Sequence, residues 1–374
     1  MIVIAGGGLA AQRCCERLRR RGYDGRIVMV CDEPHAPYDR PPLSKQFLAG
    51  KMTDPPQLRP DAWYEENAVE LLLGECAAAL RAETRELELR SGQRLRYERL
   101  LIATGAAPRL LPGCAQFDNV HVLRTLVDAE RLRAGLRPGA SVVVIGAGFI
   151  GQEVASTARS LGTEVTLVEA LAAPLANIVG VSVGDWFTRL HRAHGVDVHT
   201  AAPFERLSGN GRATRVELAT GGAVECDEVV VGIGVTPATA WLAGTAIGPN
   251  GTAAIRADHA GRTSIPDVYA AGDCAGSQHW EGAAQQGAGA ALAMLGESPQ
   301  TPATASFWSD LYGIRINWLG DARGADAFEI DGDPDANDFS VVYRRDGTPV
   351  AGLLVGRPRA LPELRQLLNP KKGI

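Results

Sequence analysis

The chain has 374 residues, which at about 150 residues per domain predicts two or three domains. Its 38 Lys and Arg against 43 Asp and Glu give a net charge of −5 with no block of like charge, which argues against a nucleic-acid partner. No apolar run approaches the ~20 residues that span a bilayer, and the chain opens on MIVIAGGG without a basic leader. A cytoplasmic protein with no membrane attachment is therefore expected.

The first elements in chain order are a strand, a glycine turn, an amphipathic helix, a second strand and an acid. Gly6, Gly8 and Ala11 give the spacing GxGxxA, and Asp32 follows the second strand. The segment 99–109 reads as a buried strand running into a small-residue turn at Ala103, Thr104 and Gly105. About 140 residues after the first unit, the same design returns. Gly146, Gly148 and Gly151 give GxGxxG, and Glu169 closes VTLVE. Further glycine-punctuated strands lie at 227–239, with Gly232 and Gly234, and at 263–275, with Gly272 and Asp273. After 300 the texture changes to strand-like runs at 314–319, 326–330, 339–344 and 349–356, then a short helix at 360–368. A hinge is expected near 298–305.

Both repeated units carry the dinucleotide fingerprint, and each residue in it has a mechanical reason. The first glycine makes the tight turn, the second lets a pyrophosphate approach the backbone, and the third small residue lets helix and strand pack closely. The phosphates meet unpaired N–H groups at the helix N-terminus, and the acid accepts from a ribose hydroxyl. Two such units predict an α/β fold with two Rossmann-like domains, one interrupted by the other, plus a C-terminal α+β domain. The expected division is one dinucleotide-binding domain at 1–107 and 235–300, a second at 108–234, and a C-terminal domain at 301–374. Two dinucleotides in one chain suggest a flavin and a nicotinamide nucleotide brought together for hydride transfer.

Seven cysteines without a CxxC pair read as packing thiols in a reducing compartment. His191, His194 and His199 have a spacing that could suggest zinc. They run from a helix straight into a strand and would not converge, so no metal is expected.

The segments PYDRPPLSK (Pro37 to Lys45), ATG, GFIGQE, VYAAGDCA and FWSD, in this order, resemble the FAD-dependent pyridine-nucleotide oxidoreductases. The subgroup is the ferredoxin and rubredoxin reductases that serve oxygenases, kin to apoptosis-inducing factor. The resemblance implies that Gly6, Gly8, Leu9, Ala10 and Ala11 cradle the FAD pyrophosphate and that Asp32 holds its ribose. It places Arg40, Lys45, Ala77, Thr104, Gly105, Arg124, Asp273, Glu281, Gly282, Ala283 and Trp308 along the same cofactor. NAD(H) would use Gly148, Phe149, Ile150, Gly151, Glu169 and Gly234. Lys45 and Glu153 are the implied catalytic pair, facing one another beside the flavin. The chain departs from the family at Gly282, where Glu-Ser is usual, and at Ala176, near which a basic residue is common.

The implied activity is an NADH-dependent reductase passing electrons through FAD to a [2Fe–2S] ferredoxin or a rubredoxin, as a monomer or homodimer. A peroxide or disulfide reductase of this fold needs a cysteine near the flavin, and none follows Lys45 before Cys76. A redox-sensing role like that of apoptosis-inducing factor is the remaining alternative. Arg344, Arg345, Arg357 and Arg359 are candidate positive charges for docking an acidic ferredoxin.

Overall fold

Continuous β-branched runs become the centres of two parallel sheets. IVIA (Ile2–Ala5) and IVMVC (Ile27–Cys31) are buried at every position, as are EVVV (Glu228–Val231) and the last four residues of SVVVI (Ser141–Ile145). Strands covered on both faces read this way, without polar alternation. The structure is a computed structural model and describes residues 1–248, 253–277, 279–301, 304 and 306–369. The hinge expected near 298–305 lies partly outside the described residues.

The chain divides into two units. The first contains Met1–Asp39, Pro56–Ala107 and Val235–Ser306. Its parallel sheet runs in the order Val268–Ala270, Arg99–Ile102, Ile2–Ala5, Ile27–Cys31, Val69–Leu73. One face packs on helices Leu9–Arg20 and Trp280–Met294, through Ala10, Cys14, Leu18, Ala290 and Met294. These helices meet closely because position 287 is glycine: a Cβ there would stand 2.1 Å from the Ala10 carbonyl oxygen. The other face is covered by a three-stranded antiparallel sheet, Ala77–Arg81, Glu86–Leu89 and Arg94–Arg96, through Leu80, Leu87, Leu89 and Leu95.

The second unit contains Arg40–Pro55, Pro108–Gly234 and the chain from Phe307 onward. Residues 40–55 thus group with this unit, although they lie within the stretch that the sequence assigned to the first nucleotide domain. Its parallel sheet runs Asp197–His199, Glu164–Val168, Ser141–Ile145, Glu228–Val231, Val120–His121. Helix Phe149–Ser160 covers one face with Val154, Ala155 and Ala158. An antiparallel sheet, Phe204–Asn210, Arg212–Leu218 and Ala223–Glu225, covers the other.

The C-terminal part is a five-stranded sheet in the order Ser306–Leu311, Ile314–Gly320, Thr348–Val355, Asp338–Arg345, Ala327–Asp333. Four of these strands and helix Leu361–Leu368 match the expected runs. The fifth, SFWSDL, lies outside the expected runs because its polar residues break the apolar pattern. Trp318, Phe339 and Tyr343 pack on Trp186 and Phe187 of helix Val181–Ala193, while Leu364 covers the opposite face through Leu319 and Leu354.

Candidate functional site

In both parallel sheets, the residues singled out from the sequence stand at the carboxyl ends of neighbouring strands. That end is where open α/β sheets bind ligands. In the first unit, Gly6 follows Ile2–Ala5, Thr104 and Gly105 follow Arg99–Ile102, and Asp273 follows Val268–Ala270. Gly6 has φ +133°, and a Cβ there would lie 2.0 Å from the Ala103 carbonyl oxygen, so only glycine fits this turn. Gly8 is different: a Cβ built on it would meet nothing within 4 Å. It caps helix Leu9–Arg20, which has no side-chain cap and no acid in its first turn. Helix Leu126–Gly135, by contrast, is closed by a Thr125–Asp128 capping box. An open, uncapped helix N-terminus beside a glycine turn fits a pyrophosphate.

The other residues of this unit are placed as follows. Ala10 and Ala11 are buried in the helix packing, and Ala77 begins the hairpin sheet. The Thr104 hydroxyl donates to the Ala238 carbonyl at 2.8 Å, fastening the turn. Gly272 donates its N–H to Gln286 Oε1 at 2.8 Å, which holds the segment leading into Asp273. Gly282 and Ala283 lie in the first turn of helix Trp280–Met294, and both are buried. Glu281 accepts from both the N–H and the hydroxyl of Ser306, at 2.8 and 2.6 Å. Asp32 is exposed and pairs with Arg90 at 3.1 Å.

In the second unit, a cleft of about 490 Å³ opens above Ser141–Ile145, Glu164–Val168 and Glu228–Val231. Gly148, Phe149, Glu169 and Gly234 line it, as do Asn177, Ile178 and Phe204. Gly148 caps helix Phe149–Ser160, again with no side-chain cap or first-turn acid. The nearest atom to a Cβ on it would be the Gly232 carbonyl oxygen at 3.8 Å, leaving room for a ligand. Glu169 is nearly buried, and its carboxylate accepts from the N–H groups of Ala147 and Leu171, at 2.7 and 2.8 Å. It is the only ionisable side chain among the described residues lining the cleft. Gly151 and Ile150 do not line it. A Cβ on Gly151 would stand 2.0 Å from the Gly146 carbonyl oxygen, so that glycine serves close packing, while Ile150 is exposed.

One turn further along the helix, Glu153 is 3% exposed. Lys45 Nζ lies 2.7 Å from its Oε2, the Ser44 hydroxyl donates to the same oxygen, and the Ser309 hydroxyl donates to Oε1 at 2.7 Å. The two serines were not singled out as site residues, although both lie inside quoted motifs, PPLSK and FWSD. Thr157 on the same helix donates to the Ser44 carbonyl at 2.8 Å. Arg40 donates to the Arg124 carbonyl at 2.7 Å, so these two arginines are neighbours in this unit. Phe307 packs edge-to-face on Phe149 with ring centroids 4.4 Å apart, and the Arg315 guanidinium lies 5.9 Å from the Trp308 ring centroid.

The three histidines have separate partners. His191 is fully buried between Tyr312 and Gln152, His194 stacks on the Tyr312 ring, and His199 meets Asp197. Burial, and secondarily His194, lowers the His191 pKa from 6.5 to about 4. Six cysteines are buried and Cys76 is half-buried. Burial pushes the Cys31 thiol up to about 12 and that of Cys226 to about 11. Two of the four candidate docking arginines have acidic partners. Arg344 pairs with Glu329, and Arg357 bridges Asp331 and Asp338.

Residues 1–287 match the pyridine nucleotide-disulphide oxidoreductase family, and residues 306–374 match a reductase C-terminal family. The chain therefore belongs to the pyridine nucleotide-disulphide oxidoreductases. It is 35% identical to the biphenyl dioxygenase system ferredoxin–NAD(+) reductase component of Paraburkholderia xenovorans strain LB400, over 100% of this chain and 94% of that protein. It is 34% identical to rhodocoxin reductase of Rhodococcus erythropolis, over 98% and 89% of the two chains. Among solved structures, the covalent putidaredoxin reductase–putidaredoxin complex matches with a TM-score of 0.93 and 33% identity, over 98% of this chain and 92% of that one.

Proposed function

We propose that the protein is an NADH-dependent FAD flavoprotein that reduces a small [2Fe–2S] ferredoxin serving an oxygenase. The observation that carries this reading is the presence of two uncapped, glycine-turned helix N-termini at the carboxyl ends of two parallel sheets, with relatives of matching length on both sides. In this reading 1–107 and 235–300 bind FAD, 108–234 bind NAD(H), and 301–374 form the acceptor-facing domain. Bound FAD would supply the conversion of a two-electron hydride into two single electrons.

The chain's own residues do the rest. Gly6, Gly8 and the first N–H groups of helix Leu9–Arg20 hold the FAD pyrophosphate, with Asp273 at the ribityl chain. Gly148 and the N–H groups after it hold the NADH pyrophosphate. Glu169, already fixed by two backbone donors, accepts from the adenosine ribose. Lys45, held by Glu153, would supply positive charge to a flavin that gains negative charge on reduction. The buried, protonated cysteines offer no thiolate, so electrons leave without a dithiol relay. No described helix is long and apolar enough to cross a membrane, and a cytoplasmic location is part of the proposal.

The test is anaerobic mixing of the yellow, FAD-loaded protein with NADH and then with an oxidised [2Fe–2S] ferredoxin. NADH should bleach the flavin, and added ferredoxin should restore its colour while the iron–sulfur spectrum fades. A protein that binds no FAD, or that is bleached by NADH but passes nothing to ferredoxins or rubredoxins, would overturn the proposal. The second of these outcomes would favour the redox-sensing alternative.

A further inference from the structure

Glu169 stands at the end of a one-directional hydrogen-bond chain that starts in the C-terminal sheet. Ala147 donates its N–H to Glu169 Oε2 at 2.7 Å. The Ala147 carbonyl accepts from Gln152 Nε2 at 3.0 Å. Gln152 Oε1 lies 3.2 Å from His191 Nε2, and His191 Nδ1 lies 2.7 Å from the Tyr312 hydroxyl. Gln152 and His191 are both 0% exposed.

The direction of each bond follows from chemistry and does not rest on where hydrogens are drawn. A backbone carbonyl can only accept, so the Gln152 amide must present its NH2 to Ala147. Its oxygen then faces His191, which must carry its proton on Nε2. In a neutral imidazole Nδ1 is then an acceptor, so the Tyr312 hydroxyl donates to it. Burial holds His191 neutral. Each of the four donors points toward the carboxylate, and because the Ala147 N–H and carbonyl belong to adjacent peptide groups, the last link is made through the position of Ala147 itself.

The source of the chain is unusually well fixed. Tyr312 adopts φ +53°, a left-handed conformation that is costly for a non-glycine residue. Its backbone N–H donates to the Ser156 hydroxyl at 2.9 Å, and its ring stacks on His194 with centroids 3.8 Å apart. A strained residue held at three points is over-determined by its surroundings, the condition under which such strain persists.

We infer that Tyr312, His191 and Gln152 are positioning residues for nucleotide recognition, holding the Gly146–Ala147–Gly148 turn and Glu169 in their ribose-accepting arrangement. This rests on the reading that Glu169 binds the nucleotide ribose. Tyr312, His191 and Gln152 do not line the cleft, so their effect passes through the glycine turn and Glu169. Truncating Gln152 leaves the Ala147 carbonyl and the His191 N–H without partners and frees the turn to rotate.

The test measures NAD+ dissociation constants by calorimetry for the FAD-loaded protein and for Gln152→Met, Tyr312→Phe, Glu169→Gln and the Gln152→Met/Glu169→Gln double variant. Gln152→Met should weaken NAD+ binding about tenfold, and Tyr312→Phe about threefold, as expected for losing buried hydrogen bonds. In the Glu169→Gln background the Gln152→Met effect should shrink to twofold or less. The preference for NADH over NADPH should fall in Gln152→Met and in Tyr312→Phe, which a loss of stability alone would not produce. Lowered melting temperatures with unchanged NAD+ affinity and preference would overturn the inference. So would a Gln152→Met effect that adds in full to that of Glu169→Gln. If Glu169→Gln itself left NAD+ binding unchanged, the ribose assignment would fall and the inference with it. Should Gln152→Met not fold, the Tyr312→Phe/Glu169→Gln pair gives the same cycle.

Discussion

Replacing Lys45 by Met removes the only ionic partner that Glu153 has among the described residues. The carboxylate is 3% exposed, so it cannot recover its loss from solvent without the surrounding packing opening. Two hydroxyl donors remain, from Ser44 and Ser309. Leaving a buried charge without its counter-charge costs about 3–5 kcal/mol, and the retained donors put this case at the lower end, about 3 kcal/mol. For a unit of roughly 200 residues this lowers the melting temperature by about 6–12 °C. Differential scanning calorimetry of the FAD-loaded protein reads that shift directly. The control is Lys45→Met/Glu153→Gln, in which a neutral amide still meets both hydroxyls and most of the loss should be regained. A single variant as stable as the parent, or a double variant no better than the single one, would refute the account of Glu153 as a charge held by Lys45. In the same single variant, NADH should reduce the flavin markedly more slowly, read by stopped-flow absorbance.

Three further outcomes follow from the same geometry. Glu169→Gln should lower the preference for NADH over NADPH at least tenfold, about 1.4 kcal/mol, because a carboxylate repels a 2′-phosphate and an amide does not; ratios of kcat/KM measure it. His191 has its pKa depressed to about 4, so an unfolded chain takes up a proton below pH 6.5 that the folded one refuses. Stability should therefore fall as pH drops from about 6.5 toward 4, by up to about 3 kcal/mol, and melting curves of a His191→Gln variant should lose that part of the slope. A thiol reagent applied to the native protein should modify Cys76 and spare the six buried cysteines, counted by mass spectrometry.

Much of the backbone that carries the site could be read from residue patterns, because glycine spacing and β-branched runs act locally. Gly6 and Gly151 are required by carbonyl oxygens about 2 Å from where a Cβ would be, and such a demand leaves a mark at fixed offsets from a strand. Glu169 and Asp32 have the same sequence context, yet one is nearly buried on two backbone donors and the other pairs with Arg90 in solvent. No spacing rule separates them, since the difference comes from strands brought alongside by the fold. The same holds for SFWSDL, whose alternation is hidden by Ser309, buried because it donates to Glu153. The acidic partners of two of the four candidate docking arginines were not legible either: Arg344 meets Glu329 of the neighbouring strand, and Arg357, just past a strand end, meets Asp331 and Asp338.

The Glu153 carboxylate explains why three separate motifs occur together in this chain. PPLSK supplies Lys45 and Ser44, GFIGQE supplies the acid, and FWSD supplies Ser309. These segments are more than a hundred positions apart in sequence, yet each contributes a donor or the acceptor of one buried ionic group. Loss of Lys45 leaves that buried carboxylate an uncompensated charge, and loss of either serine leaves one of its oxygens short of a donor. The group therefore constrains its partners collectively. Any change at one motif raises the cost of keeping the other two, and a neutral replacement of the acid lowers the requirement for all of them at once. Such coupling would not arise from three independent contacts to a ligand, each of which could be weakened separately. The practical consequence is that substitutions at Ser44 and Ser309 should be strongly non-additive with Glu153→Gln.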